Sequence, residues 1–337
     1  MSDHHVTATL FPGYFAMVMA TGIVAIGCEI EGAGGPASVL YVVAATTYVV
    51  LVVLLAARIV RYPRRVLADA ANHSKGFAFL TTVAGTNVLG AASGVIHGWW
   101  TLTWGLWWVS LALWAVSVYT TLIAVVIGSH KPGLESGING TWFLLTVSVQ
   151  SIAVVAALLL PRHEGDALAF AGLAAFTLGI VLYMIVMTMV FLRWTFQPFE
   201  PTEADPPAWI AAGAVAITVL AGSNLLLARG ASARLDRVAP FVEGLVVLAW
   251  ATATFWFPLM IAIGVWRHLV HRVPLRYHPS FWALVFPLGM YGVATARMRT
   301  AIELDALAFL PDVTLVVAGV AWAATFVGLV AEARPAR

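Results

Sequence analysis

Charge is what this sequence has least of: Asp, Glu, Lys and Arg make up 10% of its 337 residues, beside 61% hydrophobic residues, where a soluble domain carries about a quarter charged. That scarcity excludes an ordinary soluble domain. Cysteine is scarcer still, and the lone Cys28 excludes an internal disulfide framework and leaves no thiol pair for soft-metal or redox chemistry. There is no Gly-rich phosphate loop, nucleophile elbow or paired-carboxylate constellation, so no enzymatic activity, cofactor, metal centre or nucleic-acid partner is expected. Residues 1–10 contain no Lys or Arg, and no small-residue cleavage site follows the first apolar run, so that run is expected to be retained rather than cleaved as a signal.

Long apolar runs are what is there. A hydrocarbon core of roughly 30 Å, crossed at about 1.5 Å per residue, needs about 20 apolar residues per helix. Runs of that length are predicted at 11–29, 38–60, 77–97, 99–128, 139–160, 168–192, 207–228, 240–266, 279–297 and 310–331. They are continuous, without the alternation of strands, and a bilayer requires every backbone group to be satisfied internally, so helices are expected rather than a barrel. The expectation is an all-α integral membrane protein, one transmembrane domain over 1–337, with ten helices paired as hairpins 1/2, 3/4, 5/6, 7/8 and 9/10.

Orientation follows from the loops, because short cytoplasmic loops gather Lys and Arg. Twelve of the eighteen basic residues, among them Arg58, Arg61, Arg64, Arg65, Arg193, Arg267, Arg334 and Arg337, fall on the side of the N-terminus. The other six are Arg162, Arg229, Arg234, Arg237, Arg297 and Arg299. Both termini are therefore expected in the cytoplasm, in a plasma membrane. An inner face of net positive charge would also concentrate cytosolic anions.

Every intramembrane amide falls on an odd-numbered helix: Asn87 on helix 3, Asn139 and Gln150 on helix 5, Asn224 on helix 7. Amides are costly against lipid, so the odd helices are expected inside, facing protein or a water-filled cavity. Candidate lining residues are Thr21, Thr82, Thr86, Asn87, Asn139, Thr146, Gln150, Thr218, Asn224 and Gly289. The alternative is that amides and small residues join helices by hydrogen bonds and close approach. Trp99, Trp100, Trp104, Trp107 and Trp108 read mainly as an interfacial aromatic belt.

Deep titratable groups, the usual mark of a pump, are nearly absent. Glu243, His97, Arg297 and Arg299 sit near interfaces, where pairing or snorkelling explains them. His268 and His271 with His278 form a loose cluster beside a basic loop without an acid or thiol, a poor metal site, and His4 and His5 are tail residues. A path without fixed mid-membrane charge would hold an anion through hydroxyls, amides and backbone dipoles, weakly enough to release it, which favours conduction over stoichiometric capture. Pro287 interrupts helix 9 directly after Phe286. Proline removes a backbone donor, so a kink is expected there, with Phe286 either a bulky constriction or a core aromatic beside the kink.

The segments FPGYFAMVMATG (11–22), TTVAGTNVLGA (81–91), NGTWFLLTVSVQS (139–151) and HPSFWALVFPLGMYGVAT (278–295) resemble the tellurite-resistance/dicarboxylate transporter family, which includes bacterial TehA, plant slow anion channels and fungal malate and sulfite permeases. The resemblance covers essentially the whole chain. It implies five hairpins in a pseudo-fivefold ring around a central pore, odd helices inside, and a homotrimer with one pore per protomer. It further implies that Phe286, before the helix 9 proline, blocks the pore, with Pro287 aiming it. The implied function is an anion channel or uniporter for small anions of the chloride, nitrate, sulfite or dicarboxylate class. The alternative is a proton-coupled carrier of C4-dicarboxylates or sulfite, with His97 and Glu243 as its titratable groups. Where family members kink other inner helices with proline, helices 3, 5 and 7 here offer Gly85, Gly90, Gly94, Gly213 and Gly222, so straighter inner helices are expected.

Overall fold

The computed structural model describes residues 7–163 and 165–333, and no strand occurs among them. His4, His5, Arg334 and Arg337 lie outside the described residues. Ten long helices are present among the described residues: α1 Ala16–Ile30, α2 Gly34–Arg61, α3 Thr81–His97, α4 Trp100–Ile127, α5 Leu144–Leu159, α6 Asp166–Phe196, α7 Ile210–Leu227, α8 Ala233–Val265, α9 Trp282–Ile302 and α10 Phe309–Ala333. Two short helices, Pro63–Ala70 and Leu134–Gly137, lie in the loops after α2 and α4.

Odd and even helices differ in both length and surroundings. The odd ones have 15 to 21 residues, the even ones 25 to 33. In the apolar stretches of α1, α3, α5 and α7, 67 to 94% of residues are buried, against 11 to 33% in the even helices. The even helices turn residues such as Val53, Val116, Ile185, Phe255 and Val320 outward, as a lipid-facing surface requires.

Hydropathy alone misses one helix. Among the described residues nine helices are long and apolar enough to cross a bilayer, and α9 is not one of them, which corrects the expectation of ten such runs. The physical reason is in its composition: α9 carries Pro287, Gly289, Gly292, Tyr291, Arg297 and Arg299, and most of its residues are buried against other helices. A helix surrounded by protein has no need of a lipophilic surface. The other marked shift is at α8, which begins at Ala233 rather than 240, capped by Ser232 (Oγ accepting from the Arg234 amide, 3.2 Å). It takes both Pro240 and Pro258 inside the helix and ends in a π turn, Trp266–Val270.

Packing runs in a circuit. α1 contacts α3, α3 contacts α5, α5 contacts α7, α7 contacts α9, and α9 contacts α1. Each even helix packs on its hairpin partner and on the next odd helix, so that α2 lies against α1 and α3, α4 against α3 and α5, and α10 against α9 and α1. Close approach requires glycine at a few of these seams. A Cβ on Gly213 of α7 would meet the Pro287 ring of α9, and one on Gly179 of α6 would strike the Gln150 side chain of α5.

Candidate functional site

All five odd helices begin the same way, with a 3-10 turn: Pro12–Phe15, Gly76–Leu80, Gly140–Phe143, Pro206–Trp209 and Pro279–Phe281. The sequence beneath is a repeat, Pro or Gly, two residues, then Phe or Trp: PGYF at 12, GFAF at 76, GTWF at 140, PPAW at 206, PSFW at 279. Proline fits the first helical turn because its missing N–H has no partner to lose there. The aromatic closing the turn is buried in at least four of the five, as Phe15, Phe79, Phe143 and Trp282. Each turn touches the next and the last touches the first, so the five helix starts gather at one end. Asn139 and His278 cap two of them: Asn139 Oδ1 accepts from the Thr141 amide (2.9 Å), and His278 Nδ1 accepts from the Ser280 amide (3.2 Å).

The helix starts enclose a cavity of about 280 Å³, to which all five contribute: Met19 of α1, Thr81 of α3, Leu144 of α5, Ile210 of α7, and Ala283 and Phe286 of α9. Among the described residues no Asp, Glu, Lys or Arg lines it, and His278 is one of its lining residues. Phe286 is among the most deeply buried large side chains, 1% exposed. A second cavity, about 290 Å³, lies at the helix ends and is lined by Val95, Leu158, Asn224 and Arg297, with Trp100 and Arg162 beside them.

The two cavities share a register. Thr81, Leu144, Ile210 and Ala283 line the first; the residues fourteen positions on along the same helices (81 to 95, 144 to 158, 210 to 224, 283 to 297) line the second. Fourteen residues are close to four turns and about 21 Å of rise. One face of each of four helices therefore runs from cavity to cavity. Halfway along it fall Val88, Ser151, Ile217 and Met290, all buried.

Most residues singled out from the sequence lie elsewhere. Thr86 shares a hydrogen bond with Tyr48 of α2 (2.9 Å), and Thr21 accepts from Trp322 of α10 (2.9 Å). Gln150 donates to the Phe176 carbonyl of α6 (2.9 Å), with Thr146 one turn earlier on the same helix face. Thr218 lines a crevice between α6, α7 and α8, Gly289 faces Ile23, Val24 and Ala318, Pro287 sits on Gly213, Thr82 bonds back to Phe79 O (2.7 Å), and Asn139 is a cap. Asn87 bridges two inner helices, donating to Ser151 Oγ (2.9 Å). Phe286 and Asn224 alone among those candidates line the two cavities. Buried polar atoms without a protein partner remain on inner helices: Asn87 Oδ1, Thr146 Oγ1, Gln150 Oε1 and Ser223 Oγ.

The tryptophan cluster is only partly a belt. Trp99 and Trp108 are exposed, but Trp107 donates to Ile152 O (3.1 Å), Trp104 stacks on His163, and Trp100 lies under the Arg162 guanidinium, 3.5 Å from the ring centre. His97 stands between the rings of Tyr41 and Trp99, Glu243 is exposed on α8, and neither lines either cavity.

Residue types at the cavities were missed because the repeat is short and its members are 64 to 73 residues apart. Aligned on the turn, the fourth residue after the Pro or Gly is a cavity residue in four of the five, Ala16, Leu144, Ile210 and Ala283; in the turn at 76 it is Leu80, and the next residue, Thr81, lines the cavity instead. That alignment would have marked the face that amide positions did not.

The chain is similar to known membrane proteins and transporters. An uncharacterized membrane protein of Mycobacterium tuberculosis (strain ATCC 25618 / H37Rv) is 38% identical over 148 residues, 44% of this chain and 75% of that protein. An uncharacterized transporter of Methanocaldococcus jannaschii is 23% identical over 85% of this chain and 82% of its own length. A sulfite efflux pump of Trichophyton rubrum is 22% identical over 85% and 81%. Residues 9–330 match the voltage-dependent anion channel family, SLAC1, and the chain belongs to that family.

Proposed function

We propose that this protein conducts small anions across a membrane, along an axis enclosed by α1, α3, α5, α7 and α9, with Phe286 as the constriction. In this reading the ten helices form one transmembrane domain of five hairpins around a central pore. The observation that carries it is the shared register: the same helix faces line a cavity at each end, and Phe286 lies three residues beyond Ala283 on one of them. The helix-start cavity suits an anion without fixed charge, because five helix N-termini each present about half a positive charge. Unpartnered polar atoms on the inner helices support a hydrated interior, since in a bilayer each would cost several kcal/mol if nothing met it.

The termini on the side of the helix starts would be cytoplasmic by the distribution of basic loops, the membrane a plasma membrane, and the assembly a homotrimer, testable by native mass measurement in nanodiscs. Substrates are of the chloride, nitrate, sulfite or dicarboxylate class. In planar bilayers Phe286→Ala should raise anion conductance at least about tenfold, the equivalent of about 1.4 kcal/mol off the barrier. A folded variant with unchanged conductance would remove Phe286 from the path.

Similarity to a sulfite efflux pump favours one other reading, proton-coupled export, with His278 as the titratable side chain at the helix-start cavity. Uphill anion uptake driven by a pH gradient in liposomes would establish it. Reversal potentials that follow the anion gradient alone would dismiss it.

A further inference from the structure

The helix-end cavity poses a problem that the helix-start cavity does not. An anion leaving there meets the carbonyl ends of the inner helices, each about half a negative charge. Against that, two guanidinium groups line the cavity, Arg162 and Arg297, together with Asn224; among the described residues no carboxylate lines it. Arg297 is half-buried, makes no ion pair and has no hydrogen-bond partner among the described residues, whereas its neighbour Arg299 reaches Asp305 (3.7 Å) and Leu304 O (3.2 Å). Arg162 is held in place by the Trp100 ring and donates through Nη1 to Leu158 O (3.4 Å), which leaves its other N–H groups for an acceptor. Arg297 also occupies the axis face of α9, fourteen residues after Ala283. A charge on that face, desolvated and without a counter-ion, requires one.

We propose that Arg297, Arg162 and Asn224 form an anion-binding site at the helix-end mouth, which neutralises the helix C-termini and loads or releases the permeating anion on that side. The ligand is a small oxyanion or halide, fitted by guanidinium N–H donors and one amide N–H. This inference rests on the conduction reading above.

Sided concentration dependence in planar bilayers tests it, on a Phe286→Ala background that carries measurable current. Arg297→Gln should cut nitrate current about fivefold when about 10 mM salt bathes the helix-end side, and hardly at all near 1 M, because the screening length falls from about 30 Å to about 3 Å. Dilution on the opposite side should leave parent and variant alike, and Arg297→Lys should recover most of the loss. Trp100→Ala, which frees Arg162, should shift the same curve less. Coincident curves for Arg297→Gln and its parent at low salt would overturn the site while leaving conduction intact, and would reduce both arginines to capping charges for helix ends. Absence of anion current in the Phe286→Ala parent would instead remove the conduction reading, and this site with it.

Discussion

The two cavities face the helix dipoles with opposite materials. At the helix starts the backbone itself provides the favourable sign, so the cavity wall has no charged side chain, and the architecture is spent on bringing five turns into contact. At the helix ends the backbone sign is unfavourable, and two arginines lie in the wall. Packing follows the same division. A Cβ on Gly140 would drive into the carbonyl of Pro207 in the neighbouring turn, backbone against backbone, whereas Gly98, ending α3 at φ +69°, has open space around it. The lesson is that a ring of parallel helices has a tight end and a loose end, with different residue types constrained at each.

Substitution of the two glycines gives the largest contrast. Gly140→Ala meets rigid backbone that no rotamer change relieves, and should lower stability by about 3 kcal/mol or more. Gly98→Ala costs the left-handed conformation only, about 1 kcal/mol. Melting in detergent would show the difference, and equal drops would mean the turns at the start are not in the contact described.

The arginines sharpen the comparison further. Arg193, at the end of α6 beside the helix starts, is fully engaged: it donates to both Glu203 oxygens (2.7 and 2.8 Å), to Glu135 O (2.9 Å) and to Pro198 O (2.8 Å). Its guanidinium is buried while Glu203 is partly exposed, so Arg193→Gln should destabilise by about 2 kcal/mol, below the range for a fully buried pair. Arg297→Gln, removing a group with no partner, should leave the melting temperature within a degree or two. Reversed outcomes would mean that Arg193 is the available cation and Arg297 the structural one.

Much of the fold could be read from the chain. Apolar run length located the helices, and the costs of exposing amides separated inner from outer ones before any contact was known. The axis-facing side could not be read that way, because an inner helix in such a circuit has two flanking neighbours and an outer partner besides the axis. A stripe such as Thr82, Thr86, Gly90 and Ser93 reports a shared face without saying which: Thr86 and Ser93 bond to Tyr48 and Tyr41 of α2. Most of the candidate hydroxyls and amides turn to neighbouring helices, and the face that runs from cavity to cavity is left largely to Val, Leu, Ile, Ala and Met, which carry no signal of their own. Phe286 stands out in the sequence because a proline follows it, and it lines the helix-start cavity. Arg297 was read as an interfacial residue, since sequence spacing shows depth but not the absence of a partner.

The smallest effect concerns pH and again belongs to the start side. Asp205 immediately precedes the 3-10 turn of α7. Burial lifts its carboxyl to about 6, with the Arg267 guanidinium and then the Ala208 amide drawing it part of the way back. A carboxyl whose folded value lies above its unfolded one, near 3.9, binds its proton more tightly when folded. Its contribution is therefore greatest below about pH 4 and is lost as pH rises through about 6, giving up roughly 1 kcal/mol after allowance for solvent access. Asp205→Asn keeps a side chain of similar shape without titrating. The difference in melting temperature between parent and variant should grow from pH 4 to pH 6.5, with the variant the more stable at the upper end, and then level off. No counterpart is expected at the helix ends, where no carboxylate among the described residues lines the cavity. A parent–variant difference flat across pH 4 to 6.5 for Asp205→Asn would place that carboxyl in contact with water rather than buried beside the turn of α7.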